Sequence, residues 1–546
     1  MIWLISILGM VLRFWKIGFG LPHVIFGDEG LYVYFALNMG GGFLDPKFYP
    51  DLYFYLCFLA DGVYILFSWF LGRFHSPGEA WSLYRIDPTV FYIIARSVSA
   101  VLGTLTIPVT YKIGKKIFGS SQVGYLAALF LSLSYMHVQY SQIAFLDVTL
   151  TFFVILAFFF GLLALESGKL LDFCLSGLTG GLAFSVKYNG LGVIMWGPLI
   201  CLLHSLRDKT PVCRGLVSRS HLFFLLFFLL GFTLGTPYWI GNWQGFSADI
   251  ADRVSLYGKG VGHLGWDGDW NSFHYLLVVL PNGLGWPLTI GGVAGILLLL
   301  SRLKPKNVFF VSFPILYFLV TGFSPVRAAR YMMPIIPFVC VSAAYLVFSV
   351  GSWFQENRRL YRVILSAMTC LMIAQPVLLL SRYFFLKTFP DTRQMAYDWL
   401  KTNLGSHKRV LETYAGISFV PPGESFGLAD LDYDVFDVRK RNISSLRSLE
   451  EYKKEGYEYL LLDEWHLGVV MNAPQTNKRL REKYRKNRDR YQAFLLDLEK
   501  SALLLSEFSP YINRNVPFDP EDVQFASRSL WNRKHLGPTI RIYKLQ

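Results

Sequence analysis

Long apolar runs alternate with short polar loops over about the first 385 residues of the chain. The runs fall at 1–20, 51–72, 91–111, 122–140, 147–165, 170–186, 189–206, 221–240, 274–301, 307–323, 331–350 and 360–384. Most are close to the roughly 20 residues that a helix needs to cross the hydrocarbon core of a bilayer. No further run of this kind follows. The pattern predicts a polytopic α-helical membrane protein with a polar C-terminal segment.

The polar segment has the patterns of a small α/β fold. Residues 391–403 carry apolar side chains at helical spacing, and 478–504 has the pattern of a long, charged amphipathic helix. Three short segments predict strands: 410–414, 459–463 and 539–545. We therefore divide the chain into a transmembrane domain, residues 1–385, and a soluble extracytoplasmic α/β domain, residues 386–546.

Composition supports the membrane class and excludes others. The chain is 53% hydrophobic and only 16% charged, whereas soluble proteins are about 25% charged. Its net charge of +14 would suggest nucleic acid in a soluble protein, but no nucleic-acid-binding motif occurs and the basic residues cluster in short loops. The six cysteines form no C-x-x-C pair, so neither a disulfide framework nor a zinc site is predicted.

Loop charge predicts the orientation of the helices. If 51–72 lies at the membrane interface rather than across it, the basic stretches 112–116, 207–209, 302–306 and 358–359 all fall on one side. The positive-inside rule makes that side cytoplasmic and leaves about eleven spans. Asp28, the 140–147 turn, Lys187, the 324–330 loop and the C-terminal segment then share the extracytoplasmic side of the cell (inner) membrane.

Three acids stand at the mouths of apolar helices. Asp28 and Glu29 follow the first run, and Asp147 begins a strongly apolar one. Ionisable residues at such depths are usually functional or line water-filled cavities, and a desolvated carboxylate is suited to act as a general base. The alternative is helix capping, in which Asp28 or Asp147 accepts backbone hydrogen bonds at a helix N-terminus.

Basic and aromatic residues fall on the same predicted side. Lys187 and Tyr188 interrupt an apolar stretch, and Arg327, Arg330 and Tyr331 precede another. Lys187 can bind an anionic group such as a phosphate, or extend to the interface. The two arginines can clamp a phosphate, or contact lipid headgroups. Their position opposes the positive-inside rule, which favours a role in a site.

A Gly-rich, aromatic loop at 258–267 contains His263. It fits neither a Walker loop nor a dinucleotide fingerprint. The loop could cover a site, with His263 as a ligand to substrate or metal, although an isolated histidine is more often structural. Neither an HExxH nor a GxSxG motif occurs.

An ordered set of short motifs resembles a known superfamily. The set comprises Asp28-Glu29, Tyr49-Pro50-Asp51-Leu52, Ala95-Arg96-Ser97 leading to Lys115-Lys116-Ile117-Phe118-Gly119, the Asp147 turn, Lys187-Tyr188 and Arg330-Tyr331-Met332-Met333-Pro334. Together these resemble the protein O-mannosyltransferases and the bacterial aminoarabinose transferases, which are GT-C class glycosyltransferases. The likeness extends over about residues 1–385.

The resemblance implies an enzyme and its partners. It implies a polyprenyl-phosphate sugar donor and the hydroxyl of an acceptor protein, lipid or glycan of the cell envelope. Asp28 would be the general base, Asp147 a second active-site acid, and Lys187 and Arg330 would face the donor phosphate. Aminoarabinose transferases carry a Glu associated with a metal in the stretch that corresponds to Phe48-Tyr49-Pro50-Asp51, and this chain lacks that Glu. No cofactor is therefore certain, and a divalent metal is left open.

Two other functions use the same features. A transporter or flippase of a lipid-linked sugar would also need intramembrane ions and aromatic grooves, but such proteins tend to have internal repeats, and no two-fold repeat is seen here. A non-catalytic assembly subunit could use the C-terminal domain to bind a partner. We therefore predict an inverting glycosyltransferase as the main function, with the flippase as the alternative.

Overall fold

The described residues of the computed structural model are 1–22, 26, 28–39, 50–209, 211, 215–259, 272–324, 327–404, 408–413, 432–436, 447–471 and 478–545. The helices before the C-terminal segment are α1 (Ile2–Phe14), α2 (Glu29–Asn38), α3 (Leu52–Phe70), α4 (Pro77–Ile86), α5 (Thr89–Phe118), α6 (Ser121–Ser132), α7 (Tyr135–Ser141), α8 (Leu146–Ser167), α9 (Leu170–Val186), α10 (Trp196–Asp208), α11 (Arg219–Gly235), α12 (Tyr238–Gly241), α13 (Trp243–Lys259), α14 (Ser272–His274), α15 (Leu280–Leu284), α16 (Trp286–Leu300), α17 (Pro305–Gly322), α18 (Ile336–Ser352) and α19 (Arg358–Leu386).

The bundle is helical and apolar, as the sequence predicts. Among the described residues, seven helical segments are long and apolar enough to cross a membrane: Leu52–Phe70, Thr89–Phe118, Leu146–Ser167, Tyr188–Asp208, Pro305–Gly322, Ala329–Ser352 and Arg358–Leu386. Six shorter apolar helical segments accompany them. The most enclosed spans are Leu146–Ser167 and Ala329–Ser352, whose apolar windows are 67% and 83% buried. Asp147 and Arg330 stand at the beginning of these two central spans.

Two breaks in the regular helices shape the end of the bundle where Asp147 and Arg330 lie. The 3₁₀ segments Tyr188–Met195 and Ala329–Ile335 run directly into α10 and α18. Lys187, just before the first, has an extended backbone with φ −160° and ψ 140°. Irregular backbone at membrane depth is tolerated where it is enclosed by protein or lines a cavity. The buried break Ala329–Ile335 therefore fits a site, whereas Tyr188–Met195 buries Gly190 and Val193 and exposes Leu191 and Ile194.

Close helix contact fixes the helix that carries Lys187. A Cβ at Gly177 or Gly181 of α9 would overlap the carbonyl oxygen of Phe224 or Phe228 in α11. Small residues of this kind let two membrane helices approach until their backbones touch. The C-terminal end of α9 is thereby held in place.

The C-terminal segment folds around one five-stranded sheet. Its strands are β1 (Arg409–Thr413), β2 (Asp432–Phe436), β3 (Tyr459–Asp463), β4 (Ala502–Phe508) and β5 (Ile540–Leu545). Their order is β2-β1-β3-β5-β4, with β1 parallel to β2 and β3, and β5 antiparallel to β3 and β4. The helices are α20 (Thr392–Asn403), α21 (Leu449–Lys454), α22 (Glu464–Met471), α23 (Lys478–Ser501) and α24 (Pro520–Gln524).

Helices cover both faces of the sheet. Ala396 and Leu400 of α20 pack with Leu461 and Ile542 on one face. On the other face, residues of α23 pack with alternate residues of β1 and β3. This alternation is what a sheet buried on both sides requires. The predicted α/β fold is therefore present, while its division from the membrane part at residue 385 stays a prediction.

Most predicted elements of this segment are found, with two differences. The strand at 459–463 has the predicted bounds, and those at 410–414 and 539–545 are shifted or shortened by one residue. The predicted helix 478–504 is wrong at its end, because α23 stops at Ser501 and Ala502–Phe508 pairs with β5 as strand β4. The sequence analysis did not predict β2. Strands β2 and β4 form because they pair with other strands of the sheet, and the periodicity of a local segment carries no information about such pairing.

The basic stretches predicted to share one side lie together at the end of the bundle that is remote from Asp147. Glu166, at the far end of α8 from Asp147, forms ion pairs with Lys116 and Lys306. Arg207 and Lys304 line a cavity together with Glu166 and Lys306. Arg358 lines a second cavity with the residues that follow α5.

The interfacial placement of 51–72 stays a prediction. The corresponding helix, α3, is itself long and apolar enough to span. It contacts the first third of α5, where Tyr53 donates a 3.1 Å hydrogen bond to the carbonyl oxygen of Ala95 and Tyr64 packs edge-on against Phe91. These contacts lie at the end of α5 nearer to Glu29, as an interfacial helix requires.

Candidate active site

Two carboxylates and two cations meet at one end of the bundle. Lys187 Nζ lies 2.8 Å from Asp147 Oδ1, and the guanidinium of Arg330 lies 3.8 Å from Asp147 Oδ2 and 3.5 Å from Asp28 Oδ2. The structure thus brings together four residues that are separated in sequence by up to 302 positions. Formal charges within the cluster cancel, which reduces the cost of enclosing them.

The members of this cluster differ in their access to solvent. The side chain of Asp28 is 41% exposed, whereas that of Asp147 is 3% and that of Lys187 is 5% exposed. Asp28 is therefore the carboxylate that an incoming molecule can reach. Asp147 lies behind it and holds both cations.

Aromatic rings support the two cations. Lys187 Nζ lies 4.6 Å from the ring centroid of Tyr331, and the guanidinium carbon of Arg330 lies 5.3 Å from that of Phe145. Cation–π contacts of this kind stabilise partly desolvated cations. They also fix where the two positive charges stand, which is what recognition of a single anionic group needs.

The capping alternative does not account for Asp28 or Asp147. Asp28 occupies the N-cap position of α2, yet its side chain makes no capping hydrogen bond. It instead accepts one from Tyr32 Oη, at 3.4 Å. The N-cap of α8 is Phe145, and Asp147 directs its carboxylate to Lys187. Both acids therefore face the cluster.

Glu29, predicted as catalytic alongside Asp28, lies in a different environment. Its side chain is fully buried and pairs with Arg96 through contacts of 2.7 and 2.9 Å. The same carboxylate accepts backbone hydrogen bonds from Phe26 and Ala144, at 3.2 and 2.9 Å. With four donors around it, Glu29 joins α2 to α5 and to the turn before α8. We propose that it positions Asp28 rather than reacting.

The Glu29–Arg96 pair gives the first testable prediction. Glu29→Gln and Arg96→Gln should each lower the free energy of unfolding by about 3–5 kcal/mol, because each leaves one buried charge without its partner. The double variant should lose less than the sum of the two single losses. Denaturant unfolding of the protein in detergent measures all three values.

An exposed pair supplies the matched control for this prediction. Arg207 and Asp208 contact at 2.8 Å but are 54% and 52% exposed, so Asp208→Asn should leave the free energy of unfolding nearly unchanged. If Glu29→Gln were as stable as the wild type but inactive, the structural role would be wrong and a catalytic one would take its place.

The other predicted binding residues are spread around the cluster. Tyr188 donates a 3.1 Å hydrogen bond to Asp249 of α13 and so ties that helix to the Lys187 break. Arg327 contacts Nδ1 of His274 at 3.1 Å. Tyr331 lies beneath Lys187, and His263 lies outside the described residues. Tyr188 and Arg327 therefore flank the four-residue cluster.

Two residues near the site were not singled out as site residues by the sequence analysis. Arg96 appeared only within a motif, although a charge in an apolar run indicates a buried partner. Phe145 had no local signal, because only the folded structure places its ring under Arg330.

A metal site does not emerge from the described parts of the chain. They contain no group of three or more His, Cys, Asp or Glu side chains placed to hold an ion.

Solved structures with the same architecture identify the fold class. The apo oligosaccharyltransferase of Archaeoglobus fulgidus is 12% identical with a TM-score of 0.57, and covers 100% of this chain and 88% of its own. The aminoarabinose transferase ArnT from Cupriavidus metallidurans, bound to undecaprenyl phosphate, is 13% identical with a TM-score of 0.53, and covers 86% of this chain and 94% of its own. The fold is that of the GT-C membrane enzymes.

Part of the membrane bundle also matches a protein-family model. Residues 50–239 match the family described as dolichyl-phosphate-mannose-protein mannosyltransferase. A search of curated proteins found no match. The predicted resemblance is thereby confirmed: over residues 50–239 the chain is similar to these mannosyltransferases, and its fold is that of the GT-C class. The matched segment contains Asp147 and Lys187, while Asp28 and Arg330 lie outside it.

Proposed function

We propose that this protein transfers one sugar from a polyprenyl-phosphate donor to an acceptor hydroxyl, with inversion at the anomeric carbon. The observation that carries the proposal is the reachable carboxylate of Asp28 beside a cluster of two supported cations. A second oligosaccharyltransferase structure from Archaeoglobus fulgidus holds dolichol-phosphate, and the ArnT structure holds undecaprenyl phosphate. Both ligands have the chemistry that such a cluster suits.

Asp28 is the proposed general base. It accepts the proton of the acceptor hydroxyl while the hydroxyl oxygen forms a bond to the anomeric carbon. The bond from that carbon to the phosphate oxygen breaks in the same displacement, and the polyprenyl phosphate leaves with the bonding electrons. The hydrogen bond from Tyr32 to Asp28 holds the carboxylate in place.

Lys187 and Arg330 are the proposed electrostatic part of the site. Negative charge grows on the phosphate as it leaves, and cations fixed in advance at that point stabilise the transition state. Asp147 contacts both cations and so sets their spacing. In this mechanism Asp147 is a positioning acid, and the phosphate takes the side of the cations that Asp147 leaves open.

The proposed site faces the extracytoplasmic side of the membrane. Support comes from the basic stretches gathered at the remote end of the bundle, around Glu166. The positive-inside rule assigns that end to the cytoplasm. The C-terminal α/β domain, whose Phe525 packs against Phe26, is then extracytoplasmic as well. A placement in the cell (inner) membrane is part of this proposal.

A transfer assay with purified protein tests the proposal. Polyprenyl phosphates carrying radiolabelled mannose, glucose, galactose or arabinose are each supplied in detergent, with membranes from cells that lack the protein as the source of acceptor. We expect label from one donor to enter an acceptor fraction. Label that equilibrates across a vesicle bilayer without any transfer would instead support the flippase alternative.

A further inference from the structure

The C-terminal domain reaches the segment that carries Arg330. The 3₁₀ segment Ala329–Ile335 begins without a side-chain cap of its own. Its first amide, that of Ala329, donates a 2.6 Å hydrogen bond to Oε2 of Glu521 in α24. The amide of Ala328 donates to Tyr275 Oη at 3.3 Å. Amides at a helix start need such partners, and here one comes from a residue 192 positions away.

A second contact joins the same part of the domain to the site. The ring of Phe525 lies 5.7 Å from that of Phe145, which supports the guanidinium of Arg330. Phe525 also packs against Tyr140 at 5.0 Å and Phe26 at 6.1 Å. Glu521 and Phe525 therefore approach Arg330 indirectly, Glu521 through the amide of the preceding residue and Phe525 through the ring that supports the guanidinium.

The loop that presents Glu521 is itself well anchored. Asp519 caps α24 by accepting hydrogen bonds from the amides of Glu521 and Asp522, at 3.1 and 3.4 Å. Asp522 accepts from the amides of residues 527–529 and lies 3.7 Å from Arg533. A loop held by this many bonds can fix the position of a neighbour.

We propose that Glu521 is a positioning residue for Arg330, through which the C-terminal domain completes the transferase site. This inference rests on the proposed function. Glu521 acts on the backbone that carries the guanidinium and does not contact the reacting atoms. Without the Glu521 carboxylate, the amide of Ala329 has lost its acceptor, and only the amide of Ala328 is still held at the start of the 3₁₀ segment. Arg330 then departs from the spacing set by Asp28 and Asp147.

The charge of Glu521 changes near neutral pH. Burial, followed by the neighbouring Asp519, raises the pKa of this carboxyl, while Arg330, the Ala329 amide and Arg327 oppose the rise, and the resulting pKa is about 7. His274 and Arg528 line one cavity with Glu521. An ionised acceptor makes a stronger hydrogen bond than a neutral one. The hydrogen bond from the Ala329 amide to Glu521 should therefore weaken as the pH falls through about 7.

Substitutions at position 521 test the proposal in the full-length protein. Glu521→Ala should lower kcat by roughly 10- to 100-fold with a smaller change in the KM for acceptor, because a small misplacement of a catalytic group is costly. Glu521→Gln keeps a neutral acceptor oxygen and should recover part of the rate, to the level that we expect of the wild type below pH 7. Its kcat should lack the fall that we expect of the wild type as the pH drops through about 7. Glu499→Ala, at an exposed carboxylate of the same domain, is the control.

Two further measurements separate this role from a loss of folding and from failure of the proposed function. In an Arg330→Ala background, Glu521→Ala should have little additional effect if it acts through Arg330. Binding of a polyprenyl monophosphate without sugar should weaken in Glu521→Ala, whether or not transfer is observed. Additive losses in the double variant, or unchanged phosphate binding, would overturn the positioning role. Absence of transfer by the wild type would overturn only the proposed function.

Discussion

Replacing Asp28 by Asn should lower kcat for sugar transfer by about 100- to 10,000-fold, the range that a general base contributes. Asn keeps the size of the side chain and its position beside Arg330, but it cannot accept the hydroxyl proton. Binding of the donor should persist, because Lys187 and Arg330 remain. Single-turnover transfer and equilibrium binding of a polyprenyl monophosphate measure the two quantities separately.

The control for Asp28→Asn is an acid at the other end of the bundle. Asp172 lies near the start of α9, where its half-buried side chain accepts a hydrogen bond from Ser167, so Asp172→Asn should leave kcat unchanged. Tyr32→Phe removes one hydrogen bond to Asp28 and should have a much smaller effect than Asp28→Asn. If Asp28→Asn transferred sugar at nearly the wild-type rate, Asp28 would not be the base.

Charge in an apolar setting made much of the site predictable. An ionisable residue at membrane depth is costly unless a partner or a function compensates for it. Asp147, Lys187 and Arg330 could therefore be singled out from the sequence, and loop charge placed them on the same side of the membrane as Asp28. Their contacts of 2.8 to 3.8 Å are the structural counterpart of that inference.

Adjacent residues with the same chemistry could not be separated in this way. Asp28 and Glu29 are neighbours in sequence, yet successive side chains on a helix point about 100° apart. One side chain is 41% exposed and the other is fully buried against Arg96. Only the position of α5 decides which acid becomes the structural one.

Contacts between distant segments were also beyond the sequence analysis. Glu521 meets Ala329 across 192 positions, and no periodicity or motif marks that pair. The same reason accounts for β4, a seven-residue strand whose first three residues belonged to the predicted helix 478–504 and instead pair with β5. Local patterns thus predicted the elements and the charged cluster, while tertiary pairing determined how the C-terminal domain contacts them.

Replacing Arg330 by Ala should lower kcat/KM by roughly 100- to 1,000-fold, the effect of removing one fixed transition-state donor. The guanidinium contacts both Asp28 and Asp147, so its loss also leaves two carboxylates near each other without a cation between them. Donor phosphate binding should weaken as well, in contrast to Asp28→Asn. Arg330→Lys should recover only part of the lost kcat/KM, since an ammonium cannot bridge two acids as the planar guanidinium does.

Arg327 offers the comparison that makes this prediction specific. It precedes Arg330 by three residues in the same segment, but its side chain is directed to His274. Arg327→Ala removes an equal charge from the same loop and should lower kcat/KM by less than tenfold if distance from the phosphate governs the effect. Equal losses in the two variants would mean that the loop attracts the donor by its net charge alone. The placement of Arg330 between Asp28 and Asp147 would then have no catalytic role.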